Sequence, residues 1–262
     1  MFKRLVRLIA RPGAPRAEDS ASADSLLLHI GTTSGQRYGL WDGRVYPAGL
    51  IGTDLRGYSA LGFDAIEIRA SFYHLPKPDT LAHWAEQAPA SFRFVLCAPS
   101  RITHLQRLER VEMPLRHFLR AANALGERCG PLLFQLPKGF ARNDACLLRF
   151  LDLLPARTPA AFEFLDPSWQ HEAVYDHLRE RNCAVSVRDS EQGGAGALTA
   201  TADWGYLRLG RMHYTDEDLR RWLEQMQRTP WRSAYVFFRH EDDQRAQDHL
   251  QRLETLARSA TA

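Results

Sequence analysis

The most constraining feature of this chain is an alternation. Short apolar runs recur between longer segments of helical period, from Leu26 to the C-terminal end. The runs are Leu26–Gly31, Ala65–Arg69, Phe92–Cys97, Leu132–Leu136, Ala161–Leu165, Ala184–Asp189, Tyr206–Leu209 and Tyr235–Arg239. Between them, apolar residues stand three and four apart, as in Leu115, Phe118, Leu119 and Ala122, or Leu219, Trp222, Leu223 and Met226. That spacing gathers each set on one face of a helix. A strand-then-helix order implies a parallel sheet, because parallel neighbours need a crossover. Eight units in about 240 residues predict an α/β fold, a TIM-type (β/α)8 barrel forming a single domain over residues 26–262. A doubly wound open sheet is the alternative. It lacks support, since GTTSGQRYG at 31–39 has neither the dinucleotide-loop nor the phosphate-loop spacing.

Charge excludes a strong whole-molecule attraction to nucleic acid: 34 Lys and Arg against 31 Asp and Glu leave +3. Two of those positive charges fall in residues 1–25, where Lys3, Arg4, Arg7, Arg11 and Arg16 outnumber Glu18, Asp19 and Asp24. This segment is read as a flexible basic tail; its first ten residues are too few for a stable lone helix. A membrane-surface contact through it is the alternative, and it is not the favoured one. Cys97, Cys129, Cys146 and Cys183 form no CxxC pair, so a zinc centre or a secreted disulfide scaffold is not expected, and a cytoplasmic protein with reduced thiols is. No run reaches the roughly 20 apolar residues of a membrane helix. QGGAGA within residues 191–201 reads as a flexible loop.

Strand parity then sorts side chains between lumen and helices, since residues two apart share a face. Ile66 and Ile68 must face the helices, which turns Glu67 and Arg69 inward; Phe162 and Phe164 do the same for Glu163. By the same reasoning His29, Cys97, Gln135, Tyr206 and Arg208 are expected in the lumen. Val185, Val187 and Asp189 share one face, as do Tyr235, Phe237 and Arg239. Polar groups therefore gather near the C-terminal ends of the strands, where barrel enzymes carry their sites. Ionised groups there must pair, reach water or hold a ligand.

Four segments, SFYHLPKPDTLAHW (71–84), SFRFVLCAPSRITH (91–104), GPLLFQLPKGF (130–140) and FEFLDPSW (162–169), resemble the YecE-like family, also called domain of unknown function 72. The resemblance runs from about Leu28 to the C-terminal helix and implies a TIM-type barrel without implying an activity. Family positions are kept at Gly31, Trp41, Glu67, Tyr73, Trp84, Thr103, His104, Gln135, Pro137, Glu163, Ser168, Trp169, Asp189 and Arg208. They are not kept at Cys97 (usually Lys), Leu165 and Asp166 (usually Arg-His), Arg69 (usually Asn), Gly210 and Arg211 (usually His-Gly), or Arg239 and His240 (usually Asn).

Two carboxylates facing one cavity suit acid–base chemistry or a divalent metal. Glu67, Glu163 and His104 are the candidate catalytic residues of a small-molecule hydrolase, lyase or isomerase. His29, Arg69, Tyr73, Gln135, Trp169, Asp189, Tyr206, Arg208 and Arg239 are the candidate binding residues, with Tyr73 and Trp169 as aromatic walls. Closed Glu–Arg pairing is the structural alternative, and hard-metal ligands cannot be told from salt bridges by residue type, so no metal site is assigned. No cofactor follows from the sequence. The partner expected is a small molecule, and nucleic acid is disfavoured by the overall charge. A non-catalytic relative that binds a ligand, nucleic acid or protein is the second functional reading.

Overall fold

A computed structural model describes residues 5–8, 25–33, 59–191, 198–238 and 243–259 of the 262-residue chain. All eight expected strands are present in a parallel sheet: β2 (Ser25–Thr33), β3 (Ala65–Ile68), β4 (Arg93–Cys97), β5 (Cys129–Leu136), β6 (Ala160–Phe164), β7 (Ala184–Asp189), β8 (Trp204–Leu209) and β9 (Ser233–Phe238). Each pairs with the next, and β9 returns to β2 in the register Leu27↔Ser233 through Thr32↔Phe238, which closes the barrel. The open-sheet alternative is thereby removed. The protein is a single TIM-type barrel, as the alternation requires.

A further strand, β1 (Leu5–Leu8), lies within the segment read as a tail. It runs parallel to β2 in the register Leu5↔Ser25 to Leu8↔Leu28. Since β3 pairs with β2 only at Gly31–Thr33, the lower part of that β2 edge would otherwise be bare. An unpaired edge leaves backbone donors and acceptors without partners, and β1 supplies them while burying Val6. The remainder of residues 1–24 lies outside the described residues.

Helices cover the outside: α1 (Ala70–Tyr73), α2 (Pro78–Gln87), α3 (Glu112–Asn123), α4 (Asp144–Leu153), α5 (Glu172–Glu180), α6 (Asp216–Arg228) and α7 (Asp243–Ser259). Their apolar faces are those given by the helical spacing, such as Leu219, Trp222, Leu223 and Met226 on α6. Local chemistry sets their starts. Asn143 accepts from the Cys146 N–H before α4, and Thr215 and Asp218 form a reciprocal capping box before α6. Among the described residues no helix separates β7 from β8, and residues 192–197 of that connection, with the QGGAGA stretch, lie outside the description.

Two cores result. Between strands and helices, Phe134 stacks on Phe162 with ring centroids 5.3 Å apart, and Phe118 and Phe150 meet them edge-on. Inside the lumen a smaller cluster joins Ala65, Val95, Cys97, Leu133, Ala161, Ala184, Trp204, Tyr206 and Phe237. Two glycines permit close approaches. A Cβ at Gly31 would lie 2.0 Å from the Ala65 carbonyl oxygen, and one at Gly205 would lie 2.4 Å from the Trp231 ring. The described helices include none long and apolar enough to cross a membrane.

Candidate functional site at the strand C-termini

The phase of alternation holds where it matters most. Ile66 and Ile68 join the outer core, and Glu67 between them points into the lumen with no exposed surface. Phe162 packs outward and Glu163 points in, level with Gln135 on the neighbouring strand. From the far wall Arg208 reaches both carboxylates, donating to Glu163 Oε2 at 2.5 Å and Glu67 Oε1 at 3.0 Å. Tyr206 donates to Glu67 Oε2 at 2.7 Å, and Gln135 Nε2 donates to Glu163 Oε2 at 2.6 Å. Both oxygens of Glu67 are therefore engaged. On Glu163 both donors share Oε2, and the buried Oε1 accepts no hydrogen bond. The group facing Oε1 is Arg188 Nη1, at 3.9 Å.

Burial and charge act in opposite senses on this ring. Burial alone would lower the Arg208 pKa, but Glu163 and Glu67 more than offset it, and the guanidinium is held charged. Burial, Glu67 and Cys97 push the Tyr206 phenol well up, so it stays a donor. Burial, then Glu67, raises the Cys97 thiol, which favours its neutral form.

Above the ring lies a cavity of about 170 Å³, lined by Thr33, Arg69, Gln135, Arg188, Ser190, Arg208, Leu209, Gly210 and Phe237. A larger cavity of about 690 Å³ opens at the other end of the barrel, around Pro159, Asn182, Trp204, Arg232 and Tyr235. None of the ring residues lines it, so size does not mark the site. The catalytic end of such barrels is the C-terminal one, and the smaller cavity lies there.

Several expected members belong elsewhere. Asp189 does not face the lumen. It shares the outward parity of Val185 and Val187, and its Oδ2 accepts from Arg211 Nε at 2.7 Å and the Tyr214 hydroxyl at 3.0 Å. The inward residue of β7 is Arg188, which the sequence reading missed. The same rule that turned Glu67 inward, an apolar pair facing the helices, would have found it. Trp169 is no pocket wall: it stacks on Phe164 at 4.9 Å and donates to the Phe140 carbonyl at 2.6 Å, fully buried in the outer layer. His29 sits lower in the lumen than the mouth, bonded to Asp64 at 2.9 Å and stacked on Tyr235, a residue of the basal cavity.

His104 follows β4 in a widened turn (Arg101–Leu105). It bonds to Thr103 Oγ1 at 2.9 Å, lies edge-on to Phe72, and makes no hydrogen bond with either glutamate. Burial lowers its pKa, which favours the neutral ring. Tyr73 ends α1 in an exposed position and does not line the mouth cavity. Arg69, just beyond β3, does line it. Arg239 lies outside the described residues. Among those described, no group of three His, Cys, Asp or Glu side chains is arranged to hold a metal ion.

Fold and site together define a TIM-type barrel whose C-terminal mouth carries arginines over a buried Glu–Arg–Glu ring. Comparison with known proteins agrees, and it fixes the family. Residues 29–262 match the family described as "Protein of unknown function DUF72", and the chain belongs to it. It is 33% identical over 144 residues to the UPF0759 protein YecE of Escherichia coli K12, a match covering 53% of each chain. To the UPF0759 protein YunF of Bacillus subtilis it is 24% identical over 189 residues, covering 66% of this chain and 64% of that protein. The chain thus matches between about half and two thirds of the length of these relatives. Among solved structures, a DUF72 family protein from Enterococcus faecalis superposes with a TM-score of 0.71 at 17% identity, covering 88% of this chain and 95% of that one. One from Thermotoga maritima gives 0.69 at 25% identity, covering 87% and 99%.

Proposed function

We propose that the chain is a small-molecule enzyme of the hydrolase, lyase or isomerase type, in which Glu163 transfers a proton at the barrel mouth. One observation carries this reading. Glu163 Oε1 is a buried carboxylate oxygen that accepts no hydrogen bond, and the residues that bond or face Glu163, Gln135, Arg208 and Arg188, line the cavity at the C-terminal end. Buried polar atoms are nearly always satisfied, because an orphan costs about 1–3 kcal/mol. A substrate hydroxyl, or a proton to be removed, would fill the vacancy. On Glu67 neither oxygen is orphaned, since Tyr206 and Arg208 each donate to one of them. Its role is to position Arg208, which lines the cavity and orients the substrate.

The test is proton exchange. Small aldoses, hydroxy acids and sugar phosphates are incubated with the protein in deuterium oxide and followed by proton NMR for turnover or deuterium uptake. Glu163→Gln should abolish the change with the circular dichroism spectrum retained. Full activity in Glu163→Gln would end the proposal. A second reading, ligand binding without chemistry, is favoured by the Arg208 bridge, which leaves three of the four carboxylate oxygens satisfied. It expects saturable binding with no turnover in the wild type.

A further inference from the structure

We infer that the ligand of this mouth is a small oxyanion, a carboxylate or a phosphate, that also carries a hydroxyl group; this deepens the reading of the mouth as the substrate site and rests on it. Three guanidinium groups, from Arg69, Arg188 and Arg208, line one cavity, and among the described residues no carboxylate lines it. Two of these come from different strands, β7 and β8, in direct register at Arg188↔Arg208. Arg69 follows the end of β3 across the barrel. Convergence of this kind is costly in an empty cavity, because like charges repel in a region partly removed from water.

Arg208 is committed to the ring through Nη1 and Nη2. Arg188 is different. Among the described residues it makes no hydrogen bond and its nearest carboxylate oxygen is at ion-pair range, 3.9 Å; its side chain is 52% exposed against 10% for Arg208. Its planar fork can therefore receive an oxyanion, a pairing that is commonly bidentate.

Size narrows the class further. At about 170 Å³ the cavity is well below the range typical of drug-sized ligands, so the occupant is small. Glu163 Oε1, which accepts no hydrogen bond, faces Arg188 at 3.9 Å. A ligand with its anionic end on Arg188 thus brings a neighbouring hydroxyl within reach of an oxygen that lacks a donor. Thr33, Ser190 and Gln135 supply further neutral polar groups around the cavity.

The experiment is isothermal titration of the full chain at fixed ionic strength with inorganic phosphate, malonate, lactate, glycerol 2-phosphate and, as a neutral comparison, glucose. We expect saturable binding of the anions and none of glucose, with the hydroxylated anions tighter than phosphate or malonate. Arg188→Ala should weaken anion binding at least about tenfold, as loss of a charge-assisted pair does. Arg120→Ala, on the exposed face of α3, should leave it unchanged. Glu163→Gln should retain anion binding, since it removes a negative charge beside Arg188. Absence of anion binding, or equal affinities for Arg188→Ala and Arg120→Ala, overturns the inference. Saturable glucose binding without anion binding overturns it too, yet leaves the Glu163 reading standing. Anion binding with turnover that survives Glu163→Gln sinks only the proton-transfer reading.

Discussion

Replacing Arg208 with Met removes the one cation that reaches both lumenal carboxylates. Arg208 donates to Glu163 at 2.5 Å and to Glu67 at 3.0 Å, and the side chains of the two acids are 1% and 0% exposed. Methionine fills much of the vacated stem volume but supplies no donor. Tyr206 still donates to Glu67 and Gln135 to Glu163, so each acid keeps one hydrogen bond, while Glu67 loses Arg208 as its counter-charge and Glu163 keeps only Arg188 at 3.9 Å. Deleting one partner of a buried ion pair costs about 3–5 kcal/mol, because the surviving charge cannot reach water. For a chain of this size that is a fall of roughly 6–20 °C in Tm, at about 2–4 °C per kcal/mol. The assay is urea unfolding at neutral pH followed by tryptophan fluorescence. A companion variant, Arg208→Met with Glu67→Gln and Glu163→Gln, removes both orphaned charges and should recover all but about 1–2 kcal/mol, since apolar or neutral replacement of a whole buried pair is often close to neutral. The reasoning is refuted if the single variant lies within about 1 kcal/mol of wild type, or if the triple variant is no more stable than the single one.

Three other outcomes are expected. Gly205→Ala should cost about 1–3 kcal/mol, because the new Cβ would stand 2.4 Å from the buried Trp231 ring; an unchanged urea midpoint would contradict that packing. Thr215→Ala should cost about 1 kcal/mol by removing the α6 capping box, read as a lowered thermal midpoint. Stability should fall steeply at alkaline pH. Burial raises the thiols of Cys97, Cys129 (to about 11) and Cys183 (to about 12) above the ordinary 9.0, so the folded state keeps protons that the unfolded chain releases. The contribution of a raised pKa is fully present below pH 9 and is lost above it, at roughly 4 kcal/mol per pH unit for three thiols between about pH 9 and 11. Urea midpoints that stay flat across that window would contradict it.

Most of the barrel was legible in the sequence because period-2 and period-3.6 patterns are local, and all eight runs lie where the pattern puts them. Glu67, Gln135, Glu163 and Arg208 were legible for the same reason: apolar neighbours at i±1 fix which way each one points. What failed was non-local. In β7 every outward residue from Val185 to Asp189 is flanked by Ala184, Ser186 and Arg188, and the polar end of the outward face resembled a lumenal one. Asp189 is buried against Arg211 and Tyr214, partners in the loop after β8 that no spacing in β7 announces. Trp169 turns away from the mouth because Phe164 and the Phe140 carbonyl hold it, the latter 29 residues back along the chain. Strand β1 was hidden by its composition, since four residues among basic neighbours become a strand only beside an edge that β3 is too short to cover.

The departures from the family pattern acquire a meaning from the geometry. Where the resemblance sets Lys, this chain has Cys97, buried in the field of Glu67 and Arg208 and neutral by virtue of that burial. Where it sets Asn, the chain has Arg69, on the wall of the mouth cavity. Relative to the family pattern, the floor thus has one cation fewer and the rim one more. The lumenal floor, with Glu67 and Glu163 against Arg208 alone, carries one net negative charge, and Arg69 and Arg188 place positive charge above it. A field of that sense would orient the proposed ligand, its anionic end drawn to the rim and repelled by the floor. Its hydroxyl end would then face Glu163 Oε1, which accepts no hydrogen bond in the lumen. Specificity and proton transfer would in that way depend on separate groups: Arg69 and Arg188 select the charge, Glu67 and Tyr206 hold Arg208 in place, and Glu163 is left for the chemistry.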